Sequence, residues 1–255
     1  MKKHLLLSVC FVFALCGNAY CQCNDDTSIN EETCFINGNK KYDKGEYPQA
    51  LYWYEKGIDK QPMFADNYYG ASKVFFLSTE TVWGVMYGEL YMILSDNDSL
   101  KAEVSKNLFE GYFSSFSLNK GKTVAQFHNN IIVYSDSFER FNKYPQVFDS
   151  LMSVSAKNIR FIDISALATI RQRFLDKINS SAKDFKNPLF AYWEKIIQSG
   201  YWQAYNYWLF AYGNNSEAAT WIKNNKQTWS SFLKWKNDNP INLTLESYFS
   251  RYLME

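Results

Sequence analysis

Few of the side chains able to do chemistry stand at spacings that would let them do it. His128 is the one histidine left once residues 1–21 are set aside. A zinc site built on several histidines is therefore excluded, and a histidine-based triad would depend on this residue alone. Within His128-Asn129-Asn130 it reads as an exposed polar turn residue. Gly121-Lys122-Thr123 ends like a phosphate-binding loop, but Phe116 stands where the first glycine of that loop is required, so the backbone cradle is missing. Asp96-Asn97-Asp98 begins like a calcium loop, with Lys101 in place of the turn glycine and Asn107 in place of the bidentate glutamate. No Gly-x-Ser-x-Gly elbow occurs. These residues imply no metal, no cofactor and no catalytic group. Carboxylate pairs that act on glycosides leave no local signature, so a hydrolase with such a site stands as a third functional reading.

The N-terminus has a different chemistry. Basic Lys2 and Lys3 precede an apolar run from Leu5 to Leu15, and small residues follow at Gly17-Asn18-Ala19 or Ala19-Tyr20-Cys21. That order is an export signal, and its apolar run is too short for a spanning helix. Neither Cys16 nor Cys21 follows a small residue, which argues against a lipid anchor. Cleavage after Cys21 leaves Cys23 and Cys34 as a pair for a disulfide in an oxidising compartment; cleavage after Ala19 leaves an odd cysteine. The 27 basic residues lose Lys2 and Lys3 with the leader and then face 26 acidic ones. Such a near-neutral chain has no field for nucleic acid.

Hydrophobic periodicity supplies the elements. Helices are expected over 35–60, broken at Lys44-Gly45-Glu46-Tyr47, and over 65–76, 82–94 and 99–113. Short β-leaning runs at 122–127 and 131–135 suggest a hairpin. Tyr144-Pro145 and Asn187-Pro188 look like helix starts, since proline suits the first turn and asparagine can cap it. Further helices follow near 146–156, 165–179, 189–199, 202–212 and 217–236, with one more over 243–253. The fold class is mostly α, in helix pairs. Of eight tryptophans, six fall between Trp193 and Trp235. At helical spacing such rings commonly fill a core; if exposed, Trp193, Trp202 and Trp208 could stack on sugars.

Gly38, Ala50, Tyr54, Gly57 and Pro62, with Gly45-Glu46-Tyr47 at the turn, resemble a tetratricopeptide repeat over residues 31–64. Small side chains at Gly38 and Ala50 let two helices approach, Tyr54 fills the groove between them, and Pro62 ends the second. The pattern departs from the family at Cys34 and Asn37, where large apolar residues are usual, and Gly84 and Gly88 make the next pair a degenerate repeat. One clear repeat must lean on other helices. The expected organisation is a leader over 1–21, a repeat-like section over 22–117 and a helical C-terminal section over 118–255. The resemblance implies a groove for a peptide or protein segment, faced by Phe35, Asn39, Tyr42 and Asp43. An exported, non-enzymatic interaction protein is thus the leading expectation. The alternative is an envelope glycan-binding accessory protein that uses its aromatic rings.

Overall fold

The computed structural model describes residues 29–119, 121–128 and 136–254, with backbone alone for 136–142. Among them the chain is mostly helical, with eleven α-helices packed in adjacent pairs and one two-stranded antiparallel hairpin. The expected leader and Cys23 lie outside the described residues; Cys34 is wholly buried.

Helix α1 (Glu31–Tyr42) starts where Asn30 Oδ1 accepts the Thr33 N–H at 2.8 Å, so a side chain satisfies a backbone donor the helix cannot. The turn into α2 (Tyr47–Lys60) passes through Gly45 at φ 72°, a conformation other residues rarely adopt. The next pair is α3 (Ala65–Phe76) and α4 (Thr81–Leu94), followed by α5 (Asp98–Ser115), which Asn97 caps. Tyr54 joins the first pair to the second. Its ring is so close to α1 and α3 that a Cβ at Gly38 or Gly70 would lie 2.3 or 2.4 Å from it. Only glycine lets both backbones approach a buried ring to this distance.

Helix α4 reads Val-Trp-Gly-Val-Met-Tyr-Gly-Glu-Leu-Tyr-Met over residues 82–92, and every one of these is buried. A helix apolar all round belongs inside a protein.

Several expectations change after α5. Strand β2 (Lys122–Ala125) pairs backwards with β1 (Phe116–Asn119), Leu118 opposite Thr123 and Asn119 opposite Lys122. Gly121, at φ 77°, makes that tight turn possible; 131–135 lies outside the described residues. Pro145 does not open a helix but lies inside α6 (Asp136–Ser155). Helix α7 (Ile164–Ser181) is capped by Asp163, whose Oδ1 accepts the Ala166 N–H at 2.7 Å. Helix α8 (Pro188–Gln198) opens as expected on Asn187-Pro188, and α9 (Trp202–Leu209) follows. The stretch 217–236 is two helices, α10 (Asn215–Asn224) and α11 (Lys226–Asp238), broken where the Asn225 side chain donates to Trp221 O at 2.9 Å.

Apart from a short 3-10 turn at Arg251–Leu253, the tail is not helical. It is drawn out over the first helices. Arg251 meets Glu55 of α2 through Nε at 2.6 Å and Nη2 at 3.1 Å, Tyr248 donates to Asp59 at 2.9 Å, and Phe249 is buried against Trp83 and Tyr87. Long-range contacts have overridden helical periodicity here. The two expected sections accordingly share one core, continuous from Ala50 to Met254.

Candidate functional site

The four residues expected to face a groove lie along α1, which packs on α2 and α3. Phe35, Asn39 and Tyr42 are half-buried and Asp43 is exposed. Asn39 Oδ1 accepts the Tyr54 hydroxyl at 2.8 Å, so this residue both lines the face and orders the ring between the helices. Burial raises the Tyr54 phenol well above its ordinary value, which keeps it neutral and a donor. Phe35 packs against the same ring at 6.0 Å.

From Tyr42 the face continues onto α3 and α5 in alternating ring and charge. Lys73 Nζ lies 4.2 Å from the Tyr42 centroid and 5.1 Å from that of Tyr69. Tyr69 donates to the Glu103 carboxylate at 3.3 Å. An ammonium over two ring faces is held without being neutralised. The surface therefore offers rings, a carboxamide, a cation and two carboxylates, Asp43 and Glu103, side by side. That suits the backbone and mixed side chains of a peptide. Lys73, Tyr69 and Glu103 could not be assigned from sequence, because only the packing of α3 and α5 beside α1 brings them to this face.

The alternative surface has a different fate. Trp193 is 0% exposed and Trp202 5% exposed, while Trp208 is half-buried against Tyr205 and Phe232. These rings do not form a solvent-facing platform, because they enclose a charge. Arg171 of α7 is wholly buried, its guanidinium 4.3 Å from the Trp193 centroid and 5.1 Å from that of Trp202, with Tyr112, Tyr205 and Phe210 within 5.8 Å. Its Nη2 pairs with Glu89 on α4 and its Nη1 with Asn206 on α9. Glu89 Oε1 also accepts Trp193 Nε1–H at 2.7 Å and the Tyr205 hydroxyl at 2.5 Å. Burial alone would lower the Arg171 pKa, but Glu89, with Tyr112 and Tyr205, overrides it and leaves it raised. Trp193 and Trp202 thus have a structural role: their rings, with the Trp193 N–H, help solvate a desolvated ion pair.

His128 is not an exposed turn residue. It is 3% exposed, with Nδ1 2.7 Å from Asp149 Oδ2 on α6, and Asp149 Oδ1 accepts the Phe127 N–H at 2.8 Å. The carboxylate thereby joins the segment after β2 to α6. Another carboxylate pair, Asp163 and Glu217, borders an open depression of about 520 Å³. Both serve the start of α7: Asp163 as its cap, and Glu217 by accepting the Ile164 and Ser165 N–H groups at 2.9 and 3.2 Å. Anions belong at that end of a helix.

Among the described residues no helix is long and apolar enough to cross a membrane. The chain matches no protein-family model, no curated protein and no solved structure.

Proposed function

We propose that this is an exported, non-enzymatic interaction protein whose first helices form a tetratricopeptide-like stack and hold a peptide segment of a partner across α1 and α3. The observation that carries this reading is the position of the face formed by Phe35, Asn39, Tyr42, Asp43 and Lys73. It stays open to solvent while the C-terminal tail packs on α2, α3 and α4 instead. Helix α1 packs on α2 and α3 through Cys34 and Gly38 and leaves its other side chains at least partly exposed, among them polar groups fixed in place. Such pre-organisation lowers the ordering cost of binding.

The pairing of α1 with α2 and of α3 with α4 supports the repeat reading, as does Tyr54 between Gly38 and Gly70. Asn39 is fixed by the Tyr54 hydroxyl and Tyr42 by Lys73, so the two side chains that would recognise a peptide are already ordered. Burial of Trp193 and Trp202 removes the support for a glycan platform on those rings.

A photo-crosslinking side chain at position 43, in cells that make the protein, tests the proposal. A peptide segment of one partner should be captured there, and capture should fall at least tenfold in a Tyr42→Ala, Lys73→Glu variant of unchanged stability. Equal capture by the variant, or capture only from Tyr52 on α2, would refute it.

A further inference from the structure

A second surface lies at another part of the molecule, where β1 and β2 meet the turn between α6 and α7. Phe161 is 82% exposed, more than any other large apolar side chain described, and Leu118 is 63% exposed. They belong to one surface. Leu118 stands directly across from Thr123 in the hairpin, on the same side of the ribbon. The Thr123 hydroxyl donates to the carbonyl of Ile159, two residues before Phe161.

The turn that presents Phe161 is held in place. Asn158 sits at φ 68°, Ile159 N–H donates to Ala156 O at 3.0 Å, and Arg173 Nη1 donates to the carbonyls of Ser155 and Lys157 at 3.2 Å each. The exposure of Phe161 is therefore built in. Beside Phe161 in the turn stand Lys157 and Arg160, both exposed. No acidic residue occurs between 116 and 128 or between 150 and 162. The nearest one in the chain after Phe161, Asp163, turns its carboxylate to the α7 N-terminus.

We infer that this end of the protein docks on an anionic lipid surface, with Phe161 and Leu118 entering the interfacial layer and Lys157 and Arg160 reaching lipid phosphates. The shape and the charge both favour lipid. The apolar side chains stand out from a hairpin and a turn, so they can enter a soft interface without a matching hollow. Lys157 and Arg160 are exposed in the turn that carries Phe161, and long basic side chains reach headgroup phosphates from such positions. The inference is separate from peptide holding on α1 and α3, and either can fail alone.

Sedimentation with vesicles tests it, using the chain freed of residues 1–21, since the described fold lies wholly beyond them. Binding is expected to vesicles of phosphatidylcholine with phosphatidylglycerol at low salt, and much less to phosphatidylcholine alone. Phe161→Ser should weaken the partition roughly tenfold, as expected for removing an apolar side chain from the interface. Lys157→Gln and Arg160→Gln should each weaken it about fivefold. Leu245→Ser, at an apolar residue of the tail about as exposed as Leu118, should change nothing. All four variants alter exposed side chains, so far-UV circular dichroism and unfolding midpoints should match the parent. No binding to the anionic vesicles overturns the inference. So does binding that Phe161→Ser leaves intact, or a soluble protein captured through Phe161 without any vesicle binding.

Discussion

Replacing Arg171 by Met would leave the Glu89 carboxylate in the middle of the protein with no counter-charge. Glu89 is 1% exposed and Arg171 0%, so water cannot replace the lost partner. Two donors remain on Oε1, from Trp193 and Tyr205, while Oε2 has no hydrogen-bond partner in the structure. Breaking a buried pair from one side costs about 3–5 kcal/mol, against a total stability on the order of 5–15 kcal/mol for an ordinary domain. Glu89→Leu should cost a similar amount, because it leaves the Arg171 charge with Asn206 and ring faces and takes the acceptor from both donors. Losses from independent sites add, but these should not. Glu89→Leu combined with Arg171→Met removes both charges, leaving mainly the bare Trp193 N–H and Tyr205 hydroxyl at about 1–3 kcal/mol each. The double variant is therefore expected to be no less stable than either single one. Urea unfolding followed by far-UV circular dichroism and by tryptophan fluorescence measures all three, since Trp193 and Trp202 flank the guanidinium. If Arg171→Met costs under about 1 kcal/mol, or the double variant loses as much as both singles together, the pair is not the desolvated unit argued for.

Two further outcomes follow from the same geometry. Gly38→Ala and Gly70→Ala each drive a methyl into the Tyr54 ring, which is 0% exposed and held by Asn39; each should cost about 1–3 kcal/mol, and both penalties should shrink in a Tyr54→Leu background in urea unfolding. Burial raises the Glu80 carboxyl above its ordinary 4.5, with Asp149 adding to the rise and His128 and Arg251 opposing it. A raised carboxyl contributes stability below 4.5 that is lost as pH rises through its folded value, so Glu80→Gln should flatten the unfolding profile between pH 4.5 and neutrality. Parallel profiles would contradict the burial argument.

Much of the local structure was legible in the sequence because its causes are local. The turn at Gly45 and the Asn187-Pro188 start of α8 are written in neighbouring residues. The candidate α1 face was legible only in its first half. Its partners Tyr69, Lys73 and Glu103 lie on later helices, 26 residues or more beyond Asp43, and become neighbours through helix packing.

The sequence by itself determined that the protein is built from helix pairs and that small residues at Gly38 and Ala50 allow close approach. Tertiary structure decided what long-range contact controls. It turned β2 back onto β1, drew 241–254 over α2 and α4 instead of leaving it helical, and buried His128 against Asp149. It also decided the role of Trp193 and Trp202, since ring spacing is the same for a sugar platform and for a cage around Arg171. The difference lies in Glu89, 82 residues away in sequence, whose charge is stable at the centre only with Arg171 and the surrounding donors beside it.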